Sequence, residues 1–540
     1  MPCSAACGII IAMQDRAADP LWQTTLRSVM LIVLFFCCWL SAFKGSPGKE
    51  LWPAVVALVT IFISRQVILG LAFGALAGCL FLTGGDVASA LKQLTTNHFF
   101  PSLQGPWRVG AILFTLILGS FAVVIERGGG FLAVARKLIE NKRGNAGRRL
   151  ETATGLMGSL CFFDGLANSL LLGKIMRPLA DRSGITRAKL AYLVDSTSSS
   201  IACIAFISTW IATQLSLIDQ SIQSYGITDT AYTLFFQSIG SNFYCLFTLA
   251  LVALVIWRRW DMGPMKKSQV TEPTTRTEYK EQRSSAAVAL VPILTLSLGI
   301  VSLFYLWETS PLWPVTTEKL TKAFSGNAGP YALTLGSLLG LGAATLMFPK
   351  KHKARLPSAV RDGAASMLPP LLILIMAWTF GSVMKEVGTA RWLAGAIGSQ
   401  FSPAYFPAAV FLTGACISFL TGSSWGTMAL LMPIAIPGYL EVAGNEPVML
   451  SAVIGAVFSG AVFGDHCSPF SDTTIVSAFS CGVSAQEHVI TQLPYALLAA
   501  VTALVVGYLG TGMGLPAWAC IITGIGVLCI IAVAATRKTT

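Results

Sequence analysis

Residues 464–474 read Gly464-Asp465-His466-Cys467-Ser468-Pro469-Phe470-Ser471-Asp472-Thr473-Thr474, and they interrupt an apolar segment that extends from 447 to 482. An apolar segment of this length is typical of a helix that crosses a bilayer. Proline kinks or ends helices, so Pro469 predicts a break inside the membrane. A carboxylate at membrane depth is costly unless it is protonated, binds a cation or finds a partner. The stretch therefore predicts a broken transmembrane helix whose aspartates carry a function.

The composition of the whole chain indicates a membrane protein. Of its 540 residues, 54% are hydrophobic and 11% are charged, whereas a soluble protein carries about 25% charged residues. The net charge of +12 does not indicate nucleic-acid binding, because the basic residues lie in short loops between apolar segments. The 13 cysteines show no metal or disulfide spacing. We therefore expect the lipid bilayer as the surroundings and no nucleic-acid partner.

Apolar segments of suitable length predict about twelve crossings. Their approximate bounds are 27–43, 51–64, 66–83, 109–126, 189–216, 231–256, 286–306, 329–348, 366–385, 447–482, 491–511 and 515–535. Loops rich in Lys and Arg favour the cytoplasmic side, and they lie at 136–149, 177–189, 258–283 and 350–355. Acidic connections at 219–229 and 441–446 favour the outside. The pattern predicts a multi-pass protein of the plasma (inner) membrane with both termini in the cytoplasm.

Two further apolar segments, Thr152–Met176 and Tyr405–Pro437, do not fit this count. Basic loops flank the first on both sides, so it must enter and leave the membrane from the same side. Each segment has turn formers and polar groups in its middle, at 163–169 and 421–427. We predict two re-entrant hairpins; the alternative is that each segment simply crosses.

The two halves of the chain resemble each other weakly at a shift of roughly 260 residues, as the halves of many transporters do. Ile125-Glu126-Arg127-Gly128 recurs as Lys385-Glu386-Val387-Gly388. In each half a short amphipathic stretch follows, then a polar-tipped hairpin, then a span broken by polar residues. The breaks are predicted at Asp195–Ser200 and Gly464–Thr474. Since the charge rule orients the two units oppositely, the repeat is predicted to be inverted, with substrate near the midplane.

The predicted spans and repeat units divide the chain into six parts. They are N-terminal scaffold spans (1–105), a first repeat unit (106–256), a cytoplasmic linker (257–285), further scaffold spans (286–362), a second repeat unit (363–511) and a C-terminal span and tail (512–540).

Oxygen-bearing side chains at the predicted tips and breaks are the candidate ligands for a hard cation such as sodium. Asp465 and Asp472 are the first choices for sodium, and Asp164 and Asp195 come next for ion binding. The remaining candidates are hydroxyl and amide groups that would complete the oxygen shell or touch an organic substrate: Asn168, Ser196, Thr197, Ser423, Ser424, Ser468, Ser471 and Thr473. A carboxylate that holds sodium or a proton in turn performs exchange directly, so no cofactor is expected beyond the transported ions.

Each of these assignments has a structural alternative. Asp195 and Asp472 precede Ser or Thr and could cap helix N-termini. His466 is a candidate proton relay near neutral pH, or a hydrogen-bonded structural histidine. Residues 422–426 fit the G-x-S-x-G nucleophile pattern, but that elbow belongs to a soluble α/β sheet. An intramembrane serine protease, with His466 or His488 as base, is the remote alternative, and a channel is another.

Three motifs resemble the NhaC-type sodium/proton antiporters of the ion transporter superfamily. They are residues 162–169, residues 422–427 and, most specifically, residues 464–474. The resemblance covers roughly Pro106 to Ala500, and Asp164-Gly165 at the first tip departs from the most familiar members.

This resemblance implies sodium/proton exchange, although some members exchange organic acids or move amino acids. It also implies paired hairpins, transport and scaffold domains, and a homodimer that works by an elevator motion. The rival transporter hypothesis is sodium- or proton-coupled movement of a small carboxylate or amino acid. Arg177 and Lys174 are candidates for recognising an anion, with interfacial snorkelling as their alternative.

Overall fold

The structure, a computed structural model, describes Met30, Val33, Cys37 and residues 48–64, 66–140, 145–223, 225–270, 284–324, 326, 328–397 and 402–537. Across these residues the chain is helical and contains no strand. The helices of the first half are α1 Trp52–Ser64, α2 Val67–Leu82, α3 Val87–Gln93, α4 Pro106–Gly128, α5 Gly130–Glu140, α6 Ala146–Leu160, α7 Gly165–Ser183, α8 Arg187–Ile204, α9 Thr209–Ile222, α10 Ala231–Ile239 and α11 Phe243–Arg258.

The second half continues in the same way. Its helices are α12 Ala287–Glu308, α13 Thr317–Phe324, α14 Gly329–Met347, α15 Leu356–Ser366, α16 Leu368–Val387, α17 Thr389–Ile397, α18 Phe406–Thr421, α19 Ser424–Ala443, α20 Pro447–Cys467, α21 Asp472–Cys481, α22 Ala485–Thr502 and α23 Ala517–Arg537. Helix α22 passes through a π-helical segment, Ala503–Tyr508, and ends at Gly512.

The described helices confirm an all-α polytopic membrane protein. Ten of the described helical segments are long and apolar enough to cross a bilayer. The number rises to 12 when two bent pairs each count as one span. One of those pairs, α8 and α9, bends by 43° at its break. The prediction of about twelve crossings agrees with the upper figure, whereas the first predicted span, 27–43, lies almost entirely outside the described residues.

Both segments predicted as hairpins fold into two helices joined at the predicted turn. The first divides into α6 and α7 around residues 161–164, and the second into α18 and α19 around residues 422–423. Within each pair the two helices pack against each other. Because α18 and α19 are also long enough to span a membrane, helix length alone does not separate re-entry from two crossings. Re-entry therefore stays a prediction.

One predicted helix break is confirmed and the other is wrong. Helix α20 ends at Cys467 and α21 begins at Asp472, inside the predicted stretch. Residues 195–200, by contrast, lie within the uninterrupted helix α8, which ends at Ile204. The polar run does not break the helix because its hydroxyls donate to nearby backbone carbonyls, as Thr197 does to Leu193 over 2.7 Å and Ser198 to Asp195 over 2.9 Å.

Two further bounds differ from those predicted. The segment 231–256 was expected to be one span, but it is two helices, α10 and α11, separated at residues 240–242. The predicted linker 257–285 begins with the end of α11 and a 3₁₀ turn at Gly263–Lys267, and its residues 271–283 lie outside the described part of the chain.

Each two-helix segment packs against the helix that follows it in the chain, α8 or α20, and against a helix of the other half of the chain. Helices α6 and α7 contact α8, and α7 also contacts α21 of the second unit. Helices α18 and α19 contact α20, and α19 also contacts α9 of the first unit. The Ser480 hydroxyl donates to the Ser169 carbonyl over 2.9 Å at one of these crossings. The rings of Trp210 and Trp425 lie 5.7 Å apart at the other. The polar tips and breaks of the two units thus meet in the core of the molecule.

Candidate functional site

A buried carboxylate lies beside the break between α20 and α21. Asp465 is 2% exposed, and its Oδ1 accepts a hydrogen bond from the Ser471 hydroxyl over 3.1 Å. Its Oδ2 has no hydrogen-bond partner among the described residues. A buried carboxylate oxygen without a partner is costly, so Asp465 is the carboxylate best placed to take up a cation or a proton.

Hydroxyl groups surround Asp465. The Thr474 hydroxyl donates to the Asp465 backbone carbonyl, and the Thr473 hydroxyl lies 3.4 Å from the same oxygen. The hydroxyls of Ser424, at the start of α19, and of Ser199, on α8, lie beside the carboxylate. One carboxylate with several hydroxyl oxygens is a donor set that suits a hard monovalent cation.

The tip of the second two-helix segment is held against this break. Gly422 adopts a left-handed conformation with φ +67°, and a side chain there would lie 2.7 Å from the Phe470 backbone. Glycine is the residue that permits both the turn and the close approach. Ser423 follows and caps α19 by accepting a hydrogen bond from the Gly426 amide over 3.1 Å. This local structure places Ser424 next to Asp465.

Asp195 occupies a different environment on α8. Its Oδ1 accepts from the Ser477 hydroxyl over 3.0 Å. Its Oδ2 accepts from the Gln492 amide over 2.8 Å and lies 3.2 Å from His488 Nε2. Asp195 is in the middle of a helix that Thr186 caps, so the alternative that Asp195 is a capping residue is wrong. Its partners come from α21 and α22 of the second unit.

Asp164 caps helix α7. Its side chain accepts from the Ala167 amide over 2.6 Å, and the Thr209 side chain lies beside it. The Thr209 amide also donates to the Phe163 carbonyl over 2.8 Å, which ties the first tip to the start of α9. Asp164 is 4% exposed and therefore buried, but its contacts are those of a helix cap.

Asp472 is exposed and opens α21, unlike Asp465. A carboxylate in the first turn of a helix interacts favourably with the partial positive charge of the N-terminus. The structure therefore separates the two first-choice sodium ligands by burial.

The other predicted ligands differ in the groups that their polar atoms contact. Asn168 is buried, and its amide donates to the Gly158 carbonyl over 3.1 Å, leaving its Oδ1 without a partner among the described residues. Thr197 donates to its own helix, and Ser196 lies beside Tyr192. Ser468 accepts from the Phe470 amide over 3.3 Å and so stabilises the break.

His466 is buried and hydrogen-bonded, as expected of a structural histidine. Its Nδ1 lies 2.9 Å from the Tyr244 hydroxyl, and its Nε2 has no partner in the described part of the chain. A narrow crevice adjoins it, lined by Tyr192, Ser196, Thr248, Leu251, His466, Gln492, Tyr495 and Ala496. Its role as a proton relay therefore stays a prediction.

The three partners of Asp195 were not among the predicted site residues: they are Ser477, His488 and Gln492. A detectable signal was present, because His488 and Gln492 are four residues apart at the start of the predicted span 491–511 and so share one helix face. Polar groups on one face of a membrane helix usually point toward the protein interior.

The two cationic candidates lie on α7. A Cβ atom at Gly482 would collide with the Arg177 guanidinium, so Arg177 packs over the end of α21. Lys174 has an electrostatic interaction with Glu126 of α4.

Comparisons with known proteins agree with these motifs. The sequence profile of the Na+/H+ antiporter family matches residues 201–513, which is more than half of the chain. The chain is 29% identical to an uncharacterised protein of Haemophilus influenzae over 85% of this chain and 90% of that protein. It is 32% identical to the malate-2H+/Na+-lactate antiporter of Bacillus subtilis, over 29% of this chain and 34% of that protein.

A solved structure shares the fold. The YdaH transporter of Alcanivorax borkumensis superposes with a TM-score of 0.54 at 17% sequence identity, over 80% of this chain and 90% of that one. The family match confirms the predicted secondary transporter. The protease alternative is not supported, since Ser424 begins a membrane helix rather than following a strand. From its profile match and its motifs, the chain belongs to the Na+/H+ antiporter family.

Proposed function

We propose that the protein exchanges cytoplasmic sodium for external protons across the plasma membrane, with Asp465 as the carboxylate that binds the two ions in turn. The observation that carries this proposal is the Asp465 carboxylate itself. It is buried at a helix break, one of its oxygens has no partner among the described residues, and hydroxyls surround it.

The chemistry of this site supports competition between the two ions. Without a cation, the buried carboxylate carries an uncompensated negative charge in a medium of low dielectric constant. A proton on Oδ2 removes that charge, and a sodium ion held by Oδ2 and the neighbouring hydroxyls compensates it. The two ions require the same oxygen, so binding of one displaces the other.

The packing of the helices supports an inverted repeat as the framework for alternating access. The α6–α7 pair contacts α21 of the other unit, and the α18–α19 pair contacts α9 of the other unit. Two equivalent units of opposite orientation would produce this reciprocal pattern, and in transporters built this way the substrate site lies near the midplane. On this proposal the two pairs are re-entrant hairpins and both termini are cytoplasmic. A homodimer with an elevator motion follows from the family resemblance.

Proteoliposomes test the proposal directly. A pH-sensitive dye inside vesicles that contain the purified protein should report proton movement when sodium is added outside. Asp465→Asn should abolish this signal, because an amide cannot bind a proton or compensate the charge of a cation. Asp86→Asn is the matched control, since Asp86 is exposed, caps α3 through the Ala88 and Ser89 amides, and asparagine caps equally well. An Asp465→Asn variant that folds and exchanges at the wild-type rate would remove Asp465 from the mechanism.

A second candidate function is coupled transport of a small carboxylate or amino acid. It is favoured by the similarity to the malate-2H+/Na+-lactate antiporter and by the Arg177 guanidinium at the α7–α21 contact. In the same vesicles, labelled malate or arginine should then enter under a sodium or proton gradient, and sodium without solute should move no protons. That result would replace sodium/proton exchange as the function.

A further inference from the structure

The segment that follows α11 is folded back over the helix bundle, and we call its residues 260–267 the strap. The Trp260 and Met265 side chains are 5% and 3% exposed, whereas Lys266 and Lys267 are exposed. The 3₁₀ turn within the strap packs against α22. Because it buries two large apolar side chains, the strap has a defined place on the protein rather than extending into solvent.

Polar contacts tie the strap to two helices. The Asp261 carboxylate lies 3.0 Å from the Lys189 ammonium of α8. The Tyr495 hydroxyl of α22 accepts from the Met262 amide over 2.7 Å and donates to the Trp260 carbonyl over 3.4 Å. Since α8 and α22 lie in different halves of the chain, the strap joins the two halves at this point.

The narrow crevice beside His466 lies directly beneath these contacts. Tyr495, which the strap holds, is one of its lining residues, and so is Tyr192 of α8. The two rings are stacked with their centroids 4.4 Å apart. The polar lining of the crevice includes Gln492 and His466, and His466 follows Asp465 in the chain. The crevice thus extends from the ring pair under the strap toward the ion site.

The charges around the strap indicate which side of the membrane it faces. Lys266 and Lys267 lie within it, and Arg258 and Arg259 directly precede it. Segments rich in Lys and Arg beside a membrane helix favour the cytoplasmic side. The strap therefore lies at the end of the crevice that the charge rule assigns to the cytoplasm.

The ion pair that holds the strap can break without leaving a buried charge unpaired. Lys189 also lies 3.0 Å from Glu151, which is fully buried, whereas the Asp261 side chain is 38% exposed. When Asp261 moves away, water solvates its carboxylate, and Lys189 and Glu151 remain as a neutral pair. Gly263, with φ +48°, gives the strap a residue at which the backbone can change direction. The strap is therefore held in a way that permits release.

We propose that the strap is a gate between the cytoplasm and the crevice that leads toward Asp465. In the closed form, as in this structure, the contacts of Asp261 and Met262 hold the strap over the stacked rings. When these contacts break, the strap and Tyr495 move away, and water and ions enter the crevice from the cytoplasmic side. The inference goes beyond the proposed sodium/proton exchange, because such a gate would serve any solute that crosses here.

Thiol labelling tests the gate without any measurement of transport. Ser196 lines the crevice, so Ser196→Cys places a thiol there. A charged, membrane-impermeant methanethiosulfonate reagent is added to inside-out or right-side-out membrane vesicles. Mass spectrometry of the peptide that contains residue 196 gives the labelling rate at this position, separately from the native cysteines. The thiol should react from the cytoplasmic face and not from the outer face.

Release of the strap should accelerate this labelling. Asp261→Asn, combined with Ser196→Cys, removes the charge that pairs with Lys189. The labelling rate should rise by up to about fivefold, because it follows the fraction of molecules with the strap open and the lost ion pair is partly exposed. Tyr495→Phe keeps the ring stack but removes the hydroxyl, so it should act in the same direction.

Glu487→Gln is the matched control, because Glu487 is an exposed carboxylate near the start of α22, the helix that carries Tyr495. It should leave the labelling rate at residue 196 unchanged. Elution of each variant like the parent protein in size-exclusion chromatography confirms that the variant is folded.

Two results would overturn this inference. The first is no labelling of residue 196 from the cytoplasmic face, in the parent or in either strap variant. The second is a labelling rate that neither Asp261→Asn nor Tyr495→Phe changes. Both results leave the proposed exchange intact, because labelling involves no ion movement. Absence of sodium-driven proton movement would instead remove that exchange, and the labelling would still decide whether the strap is a gate.

Discussion

The Ser471 hydroxyl donates a hydrogen bond to Asp465 Oδ1 over 3.1 Å, across the break between α20 and α21. The break brings a residue of the following loop back over the acid that ends the preceding helix. The helix interruption and the ion site are therefore the same structure, and removal of the hydroxyl should affect ion binding more than folding.

Replacement of Ser471 by alanine should weaken sodium binding. A hydrogen bond to a charged group contributes about 1.5–3 kcal/mol, so the apparent KM for sodium should rise about tenfold or more, while the maximal rate falls less. Initial rates of dye response over a range of sodium concentrations measure both. Thr295→Ala is the control, because the Thr295 hydroxyl donates only to its own helix. An unchanged KM for sodium would place Ser471 outside the site.

Asp472→Asn should leave exchange close to the wild-type rate, in contrast to Asp465→Asn. Asp472 is exposed in the first turn of α21, where asparagine keeps most of the local structure. Side-by-side measurement of sodium-driven proton movement in the two variants tests this. Equal loss of activity in both would make Asp472 a sodium ligand, as its position in the motif first indicated.

Gly422→Ala should disrupt the contact between the tip of the second two-helix segment and the break. The added Cβ would lie 2.7 Å from the Phe470 backbone at φ +67°. Gly388→Ala is the matched control, because Gly388 also has a positive φ of +81° but has open space around it. The control should lose only about 1–2 kcal/mol of stability from backbone strain, seen as a modest fall in the melting temperature of the detergent-solubilised protein.

Gly422→Ala should lose more stability than this control and should also lose transport. If the two variants behave alike in both measurements, the close approach of Gly422 to Phe470 contributes neither to stability nor to transport.

Lys189→Met should destabilise the protein more than a typical surface change. The Lys189 ammonium lies 3.0 Å from Glu151 and 3.0 Å from Asp261, and Glu151 is fully buried. Removal of the cation leaves a buried carboxylate without its counter-charge, at a cost of about 3–5 kcal/mol. Thermal unfolding of the purified protein measures the loss.

The double variant Lys189→Met/Glu151→Gln should recover much of that stability, because the buried negative charge is then removed as well. No recovery in the double variant would show that Lys189 contributes through packing of its side chain rather than through charge.

Local features of the sequence predicted much of this architecture correctly. The turns at 161–164 and 422–423 and the break after Cys467 lie where glycine, proline and capping residues lie. These residues act on their own backbone through φ preferences and short-range hydrogen bonds, so no knowledge of the rest of the chain is needed. The helix break predicted at residues 195–200 is absent, because the hydroxyls of Thr197 and Ser198 bond to carbonyls of their own helix and leave it intact.

By itself the sequence determined that this is a polytopic helical membrane protein with polar interruptions in its spans. The length of an apolar segment and the charge of a loop depend only on consecutive residues, so both can be read without the tertiary structure. Only the tertiary structure decided which acidic side chains have hydrogen-bond partners for both of their oxygens. Asp195 meets His488 and Gln492 across nearly 300 positions of the chain, while Asp465 keeps one carboxylate oxygen without a partner among the described residues. That distinction depends on how helices far apart in sequence pack, because in a medium of low dielectric constant the position of a few donors determines where a charge can stay.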